Sequence, residues 1–454
     1  MTEPDERARA RGPARWWDRL AGARVDLSPL KESRDFRVLF FSGAIAFLCS
    51  TFTYVAIPFQ LYALTGSNLA VGAMGVVQLI PLVVFGLWGG ALADRVDRRR
   101  MLLWTGLASA VLMAVLVVNA VLASPQVWLL YLVGALSAVS NALNRPSKEA
   151  IIPRVVRYDQ IPSAIALDGL TFQLGMLVGP GIAGLVLANI NVATTYVIGL
   201  AGVSVSTVVL LRLASYPPIG TGGEVDAASN RGRASLRSIV DGVKYAARRR
   251  DLLGTYVIDM VGMFLAMPVV LFPALAEHVF VRPELLGLLY SAEAVGSMVA
   301  SLSSGWTSKV HHHGRAVTLA AIGWGAFIGL AGLMPNVWLA IVFFAIAGAL
   351  DMVSGLFRGT LWHQTIPDHM RGRLAGIEML SYSIGPLGGQ LRSGLVADLT
   401  SVRTSIVSGG LLCVLGVTAT ARLLRDFWSY DARTDEHAVR QRAVRAARDG
   451  RATE

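Results

Sequence analysis

The sequence predicts an all-α membrane protein, with twelve transmembrane helices arranged as two pseudosymmetric bundles of six. Three observations carry this expectation. The 454 residues are 54% hydrophobic and only 16% charged, whereas soluble domains carry about 25% charged residues. Twelve apolar stretches are long enough to cross a bilayer. The second half of the chain also repeats landmarks of the first at a nearly constant spacing. With a mean hydropathy of +0.54, the composition excludes secreted disulfide-rich, fibrous and disordered classes. Cys49 and Cys413 both lie inside apolar runs, so neither a disulfide framework nor a cysteine-based metal site is expected.

Residues Met1 to Glu32 are mixed in charge and lack an apolar core, so they are not a secretory signal. Trp16 and Trp17 either rest at the membrane surface or belong to a disordered tail. The spans of the first half fall near 37–63, 69–92, 101–122, 127–147, 162–188 and 192–212. Those of the second half fall near 253–276, 285–306, 316–334, 338–360, 373–397 and 402–423. Each must be helical, because an open backbone cannot be satisfied in lipid.

The loops fix an orientation. One set carries Arg95, Arg98, Arg99 and Arg100, then Lys148, Arg154 and Arg157, then Arg248, Arg249 and Arg250. It continues with Lys309 and Arg315, and with Arg371 and Arg373. The alternate set is nearly bare, with only Arg282 and Arg403. By the positive-inside rule the first set is cytoplasmic. These two sides are called the basic end and the bare end below. An even number of spans leaves both termini inside, which makes 1–35 and 425–454 cytoplasmic tails. The net charge of +11 is thereby explained by loops rather than by a nucleic-acid-binding face. The long gap at 213–251 separates the bundles 36–212 and 252–424. Within it, Ser235 to Arg250 reads as an amphipathic surface helix.

At a spacing of 215, Pro58 matches Pro273, Gly72 matches Gly287 and Gly90 matches Gly305. Arg34-Asp35 matches Arg250-Asp251, Arg145 matches Arg358, Ile152-Pro153 matches Ile366-Pro367, and Gly179-Pro180 matches Gly385-Pro386 at drifting spacings. Repeated six-span halves are the plan of a transporter that rocks about a central site.

After span 2 stands a turn from Gly90 to Arg100, with Asp94 and Asp97 among Arg95, Arg98 and Arg99. Asp94 can pair with a neighbouring base or cap the next helix. In span 5, Gly175, Gly179, Pro180 and Gly184 allow close helix packing and a bend. The first segment resembles the signature between spans 2 and 3 of the major facilitator superfamily, in Gly90, Asp94, Arg95, Arg98 and Arg99. Asp97 stands where that pattern has glycine. The resemblance implies a latch on the cytoplasmic gate. The span 5 run is similar to the antiporter motif of the superfamily's exporters, with Ala183 replacing one glycine. Pro153 to Leu167 resembles the loop between spans 4 and 5 of macrolide and siderophore exporters. Leu271 to Ala276 with Gly287 to Tyr290 resembles spans 7 and 8 of the enterobactin exporter family. Gly332 to Pro335 and Arg371-Gly372-Arg373 extend the likeness, which covers residues 35–424 and implies a drug or siderophore exporter.

An ionisable group in lipid is costly and marks a pathway by default. Glu293 lies near the middle of span 8, and its repeat partner is Gln78 in span 2. Glu293, Asp259 and Asp351 are the candidates for carrying a proton, with a structural hydrogen bond or ion pair as the alternative for each. Asp351 can pair with Arg358 two turns along its helix. Candidates for lining a substrate cavity are Tyr54, Gln60, Gln78, Gln173, Glu378 and Tyr382. Trp324 is expected to face lipid. Arg392 and Asp398 either form an outer gate pair or snorkel to the surface. His311-His312-His313 is a poor metal site, since adjacent residues rarely share one coordination sphere. No nucleotide-binding motif is visible, so energy comes from an ion gradient.

The sequence therefore predicts a monomeric transporter of the cell's inner (plasma) membrane, not an enzyme, without cofactor, metal or nucleic-acid partner. It exports a siderophore or drug-like natural product in exchange for protons. A multidrug efflux pump and, further off, a nutrient importer are the rival readings.

Overall fold

A computed structural model describes residues 26–93, 96–217, 242 and 244–452. The first half contains α1 (Arg34–Thr65), α2 (Asn68–Ala93), α3 (Arg98–Val121), α4 (Val127–Val155), α5 (Ile161–Asn189) and α6 (Val192–Leu210). The second contains α7 (Arg250–Ala266), α8 (Leu286–Leu302), α9 (His313–Leu333), α10 (Val337–Thr365), α11 (Asp368–Leu399) and α12 (Val402–Leu423). A final helix, α13 (Glu436–Ala452), follows the second bundle and packs on α10.

Among the described residues, eleven helical segments are long and apolar enough to cross a membrane. The twelfth, α11, is as long as α1 at 32 residues but carries Arg371, Arg373, Glu378, Arg392 and Asp398. Its packing accounts for that polarity, because α11 lies on the seam between the halves, against α2 and α7. The helix ends follow local chemistry. Ser33, Asn191, Asn336 and Ser401 accept hydrogen bonds from first-turn amides of α1, α6, α10 and α12, satisfying donors that have no partner inside the helix.

Packing repeats the sequence symmetry. In the first half α1 packs on α5 and α6, α3 on α4 and α6, and α2 on α4. In the second half α7 packs on α11 and α12, α9 on α10 and α12, and α8 on α10. The two seams between the halves are α2 with α11 and α8 with α5, and they are related by the same symmetry. Gly72 and Gly287, the matched glycines, sit one on each seam. A Cβ on Gly72 would stand 3.1 Å from the Leu391 Cα, and one on Gly287 would stand 2.6 Å from the Pro180 carbonyl oxygen. Only a hydrogen at these positions allows the backbones to meet.

One span departs from its expected form. The stretch 253–276 is not one helix. It ends at Ala266, and Met267 is extended because the following Pro268 disfavours the helical region at that residue. The chain continues through the 3-10 turn Val269–Leu271, a short turn at Phe272–Ala274 and the π-helical stretch Leu275–Val279. Its repeat partner α1 runs unbroken through Pro58. The surface helix expected at Ser235 to Arg250 lies mostly outside the described residues, where 244–248 are helical.

Candidate functional site

The second bundle places an ionic cluster inside the membrane. Arg358 of α10 is ion-paired with Asp259 of α7, with 5% and 6% of the respective side chains exposed. Arg358 also approaches Asp351, seven residues earlier on α10, at 4.0 Å. Ser381 of α11 donates to Asp259 at 3.3 Å. The Arg358 guanidinium lies over the Tyr382 ring at 5.8 Å, and Glu378 one turn earlier is an electrostatic neighbour of Tyr382. One arginine thus ties α7, α10 and α11 together and faces two acids. A cavity of about 10 Å³ adjoins it, lined by Asp259, Asp351, Ser354 and Trp324. That is close to the space of one water. Trp324 is 4% exposed and covers this cluster, so the expectation that it faces lipid is corrected.

Glu293 stands on the neighbouring helix. Its Oε1 is buried and takes no hydrogen bond from any described residue. Its electrostatic neighbours are Asp351 and Tyr54. The Glu293 backbone is pressed against α10, because Gly348 leaves no side chain between them. Tyr54 of α1 meets Tyr290 of α8 edge to face at 5.4 Å, and Tyr290 meets Phe272, which meets Phe344. This aromatic row crosses from the first half to the second beside Glu293.

The remaining cavity candidates divide. Tyr382 is 45% exposed, and Gln173 and Gln78 are half-buried. Gln78 lies beside Gly134 of α4. Gln60 is buried and accepts from the Tyr196 hydroxyl at 2.8 Å, which joins α1 to α6 inside the first bundle and turns Gln60 away from the seam. Asp259, Asp351, Glu378 and Tyr382 come together, with Glu293 and Tyr54 adjoining. Sequence reading missed the pairing of Asp259 with Arg358, and also Ser381 and Tyr290. The spacing of seven between Asp351 and Arg358 puts both on one helix face. Nothing local points from α10 to α7.

At the basic end, Asp94 and Arg95 lie outside the described residues, and Gly90 lies within α2. Asp97 caps α3 by accepting from the Arg99 amide at 2.8 Å and the Arg100 amide at 3.4 Å. It also accepts from the Ser215 hydroxyl. Its φ of −56° needs no glycine, so the departure from the family pattern adds a cap without straining the turn. Arg98 donates to the Ala150 carbonyl at 2.9 Å and Arg99 to the Leu211 carbonyl at 2.7 Å. Both arginines therefore bind helix ends of their own half.

In α5, Gly175 faces Phe47 and Gly179 faces Thr51 of α1, while Gly184 lies against Gly287 of α8. Pro180 is buried beside that crossing. The motif glycines thus serve one packing inside the first half and one across the seam.

Arg392 and Asp398 do not pair with each other. Arg392 donates to the Ser405 carbonyl at 3.3 Å and to Ser408 at 3.2 Å, whereas Asp398 turns to the start of α2. In the histidine run, His313 packs between Phe357 and Tyr430 at 5.5 and 5.8 Å. His312 lies 3.9 Å from Asp431. Together they hold the segment that leads to α13, and no cluster of metal ligands occurs among the described residues. A groove of about 510 Å³ between Arg248–Asp251 and Asp426–His437 lies at the basic end, apart from the acids of the bundle.

Two six-helix halves related by internal symmetry, with buried acids beside their seams, define a multi-pass membrane transporter of the major facilitator type. The chain belongs to the transmembrane secretion effector family, whose pattern it matches over residues 25–450. It is 30% identical over 397 residues to the enterobactin exporter EntS of Shigella boydii serotype 18, an alignment covering 87% of this chain and 92% of the relative. EntS of Escherichia coli O139:H28 gives the same identity and coverage. Among solved structures, a POT family transporter in complex with 5-aminolevulinic acid aligns with TM-score 0.67 at 13% identity, covering 87% of this chain and 97% of the other. The nucleoside transporter NupG aligns with TM-score 0.65 at 12% identity, covering 87% and 98%. At these identities the structures speak for the fold alone.

Proposed function

We propose that the protein is a secondary active exporter that moves a siderophore-class small molecule out of the cell in exchange for protons. The single observation that carries the substrate class is the relationship to enterobactin exporters over 87% of the chain. Proton coupling is supported by Glu293, whose Oε1 is buried and takes no hydrogen bond from any described residue. A carrier must reach both protonation states, and a carboxyl locked by a cation cannot. Asp259 and Asp351 share Arg358 and act in this reading by holding the helices that flank the path. Tyr54, Gln78, Gln173, Glu378 and Tyr382 contribute the polar and aromatic lining. The loops of the basic end, with 1–35, 213–251 and 425–454, face the cytoplasm of an inner-membrane monomer.

The test is comparative. The gene is deleted, cells are starved of iron, and iron-chelating metabolites are quantified inside and outside. The expected result is accumulation inside, loss outside, and recovery with a plasmid copy. Unchanged pools would sink the siderophore reading and move drug or natural-product efflux ahead of it, to be profiled by resistance.

A further inference from the structure

The seam formed by α2 and α11 is fastened at the bare end by one side chain. Asp398, in the last turn of α11, accepts from the Asn68 amide at 2.8 Å and the Leu69 amide at 3.0 Å. It also accepts from the Asn68 carboxamide at 3.0 Å and the Ser67 hydroxyl at 2.5 Å. Ser67 in turn accepts from the Ala70 amide at 3.1 Å. The first-turn amides of α2, which have no partner inside their own helix, are therefore satisfied largely by a carboxylate from the opposite half. The position also favours negative charge, since the helix dipole is positive there. Gly394, one turn before Asp398, makes the approach possible: a Cβ there would stand 2.9 Å from the Asn68 carbonyl carbon. Further contacts between the halves at this end include Gly184 against Gly287 and Tyr62 beside His278 at 5.6 Å.

We propose that Asp398 is the latch of the bare end, a positioning residue that caps α2 from the opposite half and sets how readily the halves part there. This rests on the transport reading, in which the bare end must open once per cycle. The helices run antiparallel, so Asp398 near the end of α11 lies beside the start of α2. Opening the bare end exposes the Asn68 and Leu69 amides to water, which replaces the carboxylate imperfectly. The latch is therefore reversible.

The experiment uses the purified full chain in nanodiscs without substrate, with Cys49 and Cys413 replaced by alanine. Spin labels at Ser124 and Glu284 report the bare end, and labels at Tyr158 and Ser308 report the basic end. In Asp398→Ala, the population with the longer bare-end distance is expected to rise on the order of tenfold, the scale of losing a helix cap. Asp398→Asn retains an accepting oxygen and is expected to give a smaller rise. It carries the test if the alanine variant does not fold. The basic-end distance should shorten as the bare-end distance lengthens. An unchanged bare-end distribution overturns the proposal, and so does equal loosening at both ends, which would make Asp398 a structural cap only. Because no substrate is present, a failed export assay would leave this result readable.

Discussion

Arg358 on α10 and Asp259 on α7 form an ion pair in the interior of the second bundle, and Asp351 approaches the same guanidinium from the other side. Removing one member leaves the other buried without its counter-charge, which costs about 3–5 kcal/mol. Arg358→Gln should therefore lower the thermal unfolding midpoint in detergent sharply. Arg358→Met combined with Asp259→Leu should recover much of the loss, because apolar packing can replace a buried pair. Equal midpoints for the single and double variants would show that the pair is not what joins these helices.

Glu293→Gln keeps the shape of the side chain and removes its ability to carry a proton. Gradient-driven export should fall to background, while binding of substrate to purified protein should persist. Full gradient-driven export by the glutamine variant would remove Glu293 from the coupling path.

Gly287→Val tests the seam of α5 and α8. The added carbons would meet the Pro180 and Gly181 carbonyls, 2.6 and 2.8 Å from the position of the first of them. These are backbone atoms and cannot swing aside. Overpacking of this kind costs about 1–3 kcal/mol, directed against the closed bare end. Export should drop while the protein still elutes as a folded species. Unimpaired export would show that this crossing tolerates separation.

Asp97 gives a pH dependence outside the membrane. Partial burial pushes its carboxyl up, but hydrogen bonds from Ser215 and from the Arg100, Arg99 and Tyr216 amides prevail and hold it below its ordinary value of 3.8. A carboxyl depressed in the folded state stabilises above its unfolded value, about 4, and the contribution fades as pH falls through the folded value. Asp97→Ala should cost about 1 kcal/mol near neutral pH, the worth of a cap. The difference from the wild type should shrink below pH of about 4. A difference that grows on acidification would contradict the assigned bonds.

The twelve helices and the division into halves were legible because lipid leaves a chain few choices, although α4 runs on to Val155 and α7 stops at Ala266. A segment must be long, apolar and helical to cross, and charge collects where it ends. The glycines of span 5 pointed to close helix packing, since close approach has few other chemical solutions, whereas Gly72 and Gly287 were legible only as matched repeat positions and the packing puts them on the seams. The break in span 7 could have been anticipated from Pro268, yet Pro58 sits inside an unbroken α1. Proline permits a break, and the surroundings determine whether one forms.

By itself, then, the sequence determined the class of protein, its twofold plan and the short set of acids that lipid would not tolerate without a reason. The tertiary structure decided what stands beside each of those acids. Asp259 meets Arg358 across 99 positions of chain, Asp398 caps a helix that begins 330 residues earlier, and the buried Oε1 of Glu293 is left without a donor among the described residues. Local pattern measures the cost of burying a charge. Whether that cost is offset by a cation, by backbone amides or by a proton depends on which helix arrives beside it, and that is a property of packing.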